Sequence, residues 1–166
     1  MLVARAQLDF IRDLVARFQQ DDNVMRPVAD FQSQYVAIVA LLRSVGHVFA
    51  NVDCHDAARR EWSHEQWPIW RRDPVFSEFI EPARNALLKE FQGGLELRSE
   101  GFGPVAVVVD PKMPGGVAHV AAFDAREVRD RLGRPVLPNF HAAIAFWDRC
   151  LSQAEAAFGE ARASRG

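Results

Sequence analysis

Phe31, Tyr35, Ile38, Leu42, Val45, Phe49 and Val52 follow one another in steps of four and three. A stripe of that length on a 3.6-residue repeat commits the chain to a helix of about six turns with one face buried. Pro27 stands near its expected start. Such a helix needs apolar neighbours along its whole side, which an antiparallel bundle supplies. The segment before it offers one neighbour through Ala4, Leu8, Ile11, Val15 and Phe18, spaced by four and three. A final helix from about Phe140 to Ala161 offers another through Phe140, Ile144, Trp147, Leu151 and Phe158.

Between these lie two less regular stretches. AARREWSHEQWPIWRR, residues 57 to 72, places Trp62, Trp67 and Trp70 as caps on the bundle, and Pro68 is expected to end a short helix near Trp67. Asp73-Pro74 then reads as an N-cap followed by a proline in the first turn, with Gly93-Gly94 as the stop. Within that helix Phe76, Ile80, Ala83, Leu87 and Phe91 share the core face, while Ser77, Glu81, Asn85 and Lys89 lie opposite. Arg84 falls on the border, and Leu88 is an apolar residue among polar ones. Pro82 lacks an N–H, and its ring opposes the carbonyl of Glu78. Either the helix bends there and aims Arg84 and Asn85 outward, or it starts after Ile80 with Pro82 in its first turn.

Beyond the helix the period shortens. VAVVVD at 105 to 110 and VAHVAAF at 117 to 123, joined by PKMPGG, read as a hairpin. Asp124 and Glu127 form a capping-box pattern for a short helix ended by Gly133. The expected fold is mainly α, a four-to-five-helix bundle with a small β-hairpin between the proline helix and the C-terminal helices. Residues 1–166 form one domain, with the hairpin inserted at about 103–123.

Composition excludes several function classes. A formal net charge of -2 argues against coating nucleic acid by bulk electrostatics, leaving room only for a local basic patch. The N-terminal stretch carries Arg5, Asp9, Arg12 and Asp13, unlike a signal peptide, and no run is read as spanning a bilayer. Cys54 and Cys150 alone indicate no disulfide framework, and a reducing cytoplasm is the expected setting. Asp53-Cys54-His55-Asp56, with His64 downstream, lacks the paired spacings of a zinc site, so no metal is expected. No glycine-rich phosphate loop, nucleophile elbow or Cys-x-x-Cys is present, and no cofactor is expected.

Arg84-Asn85-Ala86-Leu87-Leu88-Lys89 resembles the Arg-Asn-x-x-x-His signature of HEPN domains, helical bundles of prokaryotic toxin-antitoxin and antiviral systems. The resemblance covers about a turn and a half of one helix. In that family, arginine and histidine from two protomers meet across a dimer interface and cut RNA without metal, the 2′-hydroxyl attacking the adjacent phosphate. The resemblance implies that Arg84 holds the phosphate, that Asn85 orients it, and that the chain pairs with a second copy around Arg84 and Leu88. Lys89 replaces the histidine. An ammonium with a reference pKa near 10.4 holds an anion well but is a poor proton carrier, so loss of catalysis is the expected consequence.

Arg43 and His47, four residues apart on the second helix, could complement the site, with His47 as the missing proton carrier. Glu81 lies on the polar face, and Arg59-Arg60 with Arg71-Arg72 could form a basic edge beside the tryptophans. The expected function is contact with RNA or a nucleotide, with any ribonuclease activity weak or lost. The alternative is a protein-interaction or immunity module binding a partner protein through the tryptophan-rich segment and hairpin.

Overall fold

The computed structural model describes residues 1–19, 28–89, 95–97, 106–109, 117–120, 128–130 and 133–163. Among them are five α-helices: α1 (Val3–Gln19), α2 (Val28–Val48), α3 (Ala57–Trp70), α4 (Glu81–Lys89) and α5 (Val136–Ala163). α1 packs along α2 and α5, and α2 also meets α4 and α5. The bundle expected from the apolar spacing is the architecture found. Ala4, Leu8, Ile11, Val15 and Phe18 are the buried residues of α1. Phe31, Tyr35, Ile38, Leu42, Val45 and Phe49 are buried along α2, and Phe140, Trp147 and Leu151 along α5.

The stripe on α2 departs from expectation at its end. Val52 is exposed, and Asp53 turns inward in its place. The helix widens to a π turn over Phe49–Asp53, where the Cys54 N–H donates to the Phe49 carbonyl at 3.0 Å. An i→i−5 turn adds a residue to the circuit and rotates everything after it. Asp53 then uses both carboxylate oxygens to accept from the first N–H groups of α1, Val3 at 2.7 Å and Ala4 at 2.9 Å. These are donors that a helix start leaves unsatisfied.

By length and composition alone, the 24-residue stretch Asp30–Asp53, in which an 18-residue window has mean hydropathy 1.5, is apolar enough to cross a membrane, contrary to the sequence expectation. In the bundle its apolar stripe is the central core helix, sealed by α1, α4 and α5.

α3 starts where Asp56 caps it, accepting from the Arg59 N–H at 2.9 Å, and it passes through Pro68 to Trp70 instead of stopping at Trp67. A proline in the last turn removes one helical bond. The rings on either side of it compensate by packing: Trp67 lies against Trp70, Phe76 and Trp147, while Trp70 lies against Phe49 and Trp62. Trp67 comes close to α2 because Gly46 has no side chain; a Cβ there would stand 2.7 Å from the Trp67 ring and 2.8 Å from that of Trp147.

Asp73 accepts from the Val75 N–H at 2.9 Å and opens the proline helix, as the Asp-Pro pair predicts. Its first part is a second π turn, Val75–Ile80, before α4 begins at Glu81. Phe76, Ile80, Ala83 and Leu87 are buried as expected, and the wider turn adds Phe79. Phe91 and Gly93-Gly94 lie outside the described residues.

The β structure among the described residues consists of two short antiparallel pairs. β2 (Ala106–Val109) pairs with β3 (Val117–Val120), Ala106 opposite Val120 and Val109 opposite Val117, which is the expected hairpin. β1 (Leu95–Leu97) pairs with β4 (Val128–Asp130). This corrects the helix expected before Gly133; Asp124 and Glu127 lie outside the described residues, and Val128–Asp130 is a strand. Val128 and Asp130 face the core while Arg129 between them does not, an alternation that only a strand makes. Gly133, at φ +73, turns the chain toward α5 and donates to the Asp130 carbonyl at 2.8 Å.

Candidate functional site

Pro82 decides the local geometry of α4. Its missing N–H would have bonded the Glu78 carbonyl. The π turn before it lets the Glu81 N–H donate to Phe76 instead, and the freed Glu78 carbonyl accepts from the Arg134 guanidinium. Arg134 also holds the buried Asp130 through Nε and Nη2, both at 2.7 Å, and lies over the Phe79 ring at 5.4 Å. The carbonyl released by the proline therefore serves to lock α4 to the β4–α5 turn. It does not feed Arg84.

Arg84, two residues on, is half-buried and donates from Nη1 to the Asn85 side-chain oxygen at 3.1 Å. Among the described residues no carboxylate pairs with it. The α2 face packed on α4 brings Arg43 and His47 to it. The Arg43 guanidinium lies over the rings of Phe76 at 5.3 Å and Trp67 at 5.7 Å, and its Nη1 is sealed from solvent with no hydrogen-bond partner. Ring faces carry that edge, as cations over aromatics do. Burial lowers the Arg43 pKa first; Glu81 opposes the shift, and the charges of Arg84 and Arg71 add to it. The exposed His47 is likewise held below its ordinary value, by local desolvation and then by the charges of Arg43 and Arg84.

Five of the residues named from sequence, Arg43, His47, Glu81, Arg84 and Asn85, thus gather at one place. Arg71 joins them, its Nη2 lying 3.5 Å from Glu81 Oε1. As a member of this cluster it was missed from sequence, where it had the look of an edge beside the tryptophans. The available signal was its position just after Trp70, at the end of a helix whose rings floor Arg43.

Arg59 and Arg60 are engaged elsewhere. Arg59 donates to the Asp53 carbonyl at 3.2 Å, pairs with Asp56 and covers the Phe158 ring at 4.8 Å. Arg60 donates to the carbonyls of Cys54 at 3.3 Å and His55 at 2.6 Å. Both are used to finish the end of the α2 π turn. The side chains of Leu88 and Lys89 lie outside the described residues. Trp70 is buried and Trp62 and Trp67 are packed against the core, so the tryptophan-rich segment turns its rings inward.

A cavity of about 560 Å³ opens on the other side of Asp53, lined by Leu2, Val52, Arg59, Glu155 and Phe158 among others. Its charged side chains Asp53, Arg59 and Glu155 already have partners: Asp53 with the start of α1, Arg59 with Asp53 and Asp56, and Glu155 with Arg5. The Arg43–Arg84 face differs in holding three guanidiniums, Arg43, Arg71 and Arg84, against a single carboxylate, Glu81, among the described residues. A partly desolvated cluster of that kind favours an anion, and planar forks suit phosphate or carboxylate oxygens. No protein family, curated protein or solved structure matches the chain.

Proposed function

We propose that the chain is an HEPN-like cytosolic domain whose α2–α4 face contacts RNA or a nucleotide through Arg43, Arg71 and Arg84, with Asn85 orienting the bound phosphate. The reading is carried by one observation: Arg43 and Arg84, on different helices, share a partly desolvated face on which no carboxylate is paired to either among the described residues. Lys89 in place of histidine makes the domain mainly a binder. Any residual cleavage would use His47, whose lowered pKa leaves a neutral imidazole at pH 7 able to take the proton of an attacking 2′-hydroxyl. Two copies would meet around Arg84 and Leu88, as in the resembling family, and solution mass reads that directly.

The test is RNA affinity measured across a salt series for the wild type and for Arg84→Ala. Affinity should fall steeply with salt, and the variant should bind more weakly with a log–log slope smaller by about one. Absence of binding, or binding indifferent to Arg84, overturns the reading and leaves a protein-interaction module. His47→Ala addresses cleavage separately: any metal-independent activity of the wild type should disappear in the variant.

A further inference from the structure

The distribution of committed and uncommitted arginines says more about the ligand than that it is anionic. We infer that the Arg43–Arg84 face takes a doubly charged terminal phosphate, a phosphomonoester, in preference to an internal phosphodiester. The inference rests on the phosphate-binding reading above and narrows it.

Charge balance is the first ground. Glu81 lies against Arg71 and offsets that cation, while Arg43 and Arg84 have no carboxylate partner among the described residues. Among the described residues the face therefore sets three guanidiniums, Arg43, Arg71 and Arg84, against one carboxylate, Glu81, which also acts on Arg43, an excess of two positive charges. An internal diester carries one negative charge, whereas a phosphate monoester carries about -1.5 to -2 at pH 7. Only the second neutralises the pair.

Donor geometry is the second. Nη1 of Arg84 is used on Asn85, and Nη1 of Arg43 is sealed against ring faces. Among the described residues Nε and Nη2 of both guanidiniums make no hydrogen bond, which leaves two pairs of donors on two helices whose charges act on each other. A diester offers two unesterified oxygens and a monoester three, which suits two forks better.

The third ground is the fate of the arginines that would lengthen the patch into a track among the described residues. A strand gripped along its backbone needs cations spaced to meet successive phosphates. Arg59 and Arg60, which would have extended the patch along the tryptophan-rich segment, donate instead to the carbonyls of residues 53 to 55. Among the described residues, Arg43, Arg71 and Arg84 make one compact focus floored by the rings of Trp67 and Phe76. A compact focus recognises an end group, and that end can belong to an RNA or to a free nucleoside monophosphate.

The experiment compares one short oligoribonucleotide bearing a 5′-hydroxyl, a 5′-phosphate or a 3′-phosphate, by fluorescence anisotropy with the full chain at fixed salt. AMP, adenosine and inorganic phosphate serve as competitors. A terminal phosphate should tighten binding by about tenfold or more, the scale of charge-assisted hydrogen bonds. Arg84→Gln should remove that preference, and unchanged thermal unfolding would show that the fold persists. Equal affinity for all three oligonucleotides overturns the inference while leaving RNA binding intact. Binding of AMP and phosphate without any gain from the attached RNA supports the inference with a mononucleotide as the source. No binding by oligonucleotides, AMP or phosphate removes both this inference and the reading on which it rests.

Discussion

Arg5 on α1 and Arg43 on α2 are partly buried arginines on adjacent helices, and their surroundings push them in opposite directions. Arg5 bonds Glu155 at 2.8 Å as well as Asp148 and Ser152, and the Glu155 hydrogen bond leads the causes that raise its pKa. Arg12 reaches Asp148 from two turns further along α1, at 2.8 Å. That seam joins α1 to α5 with its charges matched. Arg43 lies over rings, and burial first, then the charges of Arg84 and Arg71, lower its pKa against the opposing pull of Glu81. A guanidinium matched by carboxylates finishes a structure, whereas one over ring faces with a single carboxylate shared among three guanidiniums keeps positive charge uncancelled.

Arg134 is the most heavily matched arginine near the site, and removing it should have the largest effect. Arg134→Met deprives the buried Asp130 of its guanidinium and the Glu78 carbonyl of its donor, at a cost of about 3 kcal/mol read from denaturant unfolding. A loss below about 0.5 kcal/mol would mean that the lock between α4 and the β4–α5 turn is not structural.

Gly46→Ala attacks the aromatic floor without touching a charge. Its new Cβ would press on Trp67 and Trp147, and overpacking of this kind costs about 1–3 kcal/mol. Melting temperature should drop, and ligand affinity should drop with it because Trp67 supports Arg43.

The sharpest contrast pairs Arg5→Ala with Arg84→Ala. Arg5→Ala should cost about 1 kcal/mol of stability, because its partners are well exposed and screened, and should leave ligand binding unchanged. Arg84→Ala should do the reverse, shifting stability by less than about 0.5 kcal/mol while weakening binding. If both variants lose only stability, the difference between matched and unmatched arginines carries no functional meaning.

The smallest effect concerns pH. His47 titrates lower in the folded chain than in the unfolded one, so below about pH 6.5 the unfolded state binds the extra proton first. The His47 contribution is fully present above that pH and is lost as pH falls through the folded value. Replacing His47 with Asn should flatten this part of the stability–pH curve, compared by urea titration at several pH values.

Much of this fold was legible in residue order. The spacing from Ala4 to Phe18 lists the buried face of α1, and the Asp-Pro pair at 73–74 marks the start of the proline helix. The site was legible in part: Arg84, Asn85, Glu81, Arg43 and His47 were named from residue type and position, but Arg71 was not placed with them. Arg59 and Arg60 had the same appearance as Arg43 in sequence, since nothing local distinguishes an arginine that will cap a carbonyl from one that will not.

Sequence by itself determined the helical faces, because a period of 3.6 is set by backbone geometry and transfers apolar spacing directly into burial. Tertiary structure alone decided where the two π turns widen those helices, why Val128–Asp130 pairs as a strand, and which guanidiniums keep uncancelled charge. Those outcomes depend on partners tens of residues away, as when Arg134 takes the carbonyl that Pro82 left free. A hydrogen bond or an ion pair is won by whichever group folding brings within reach.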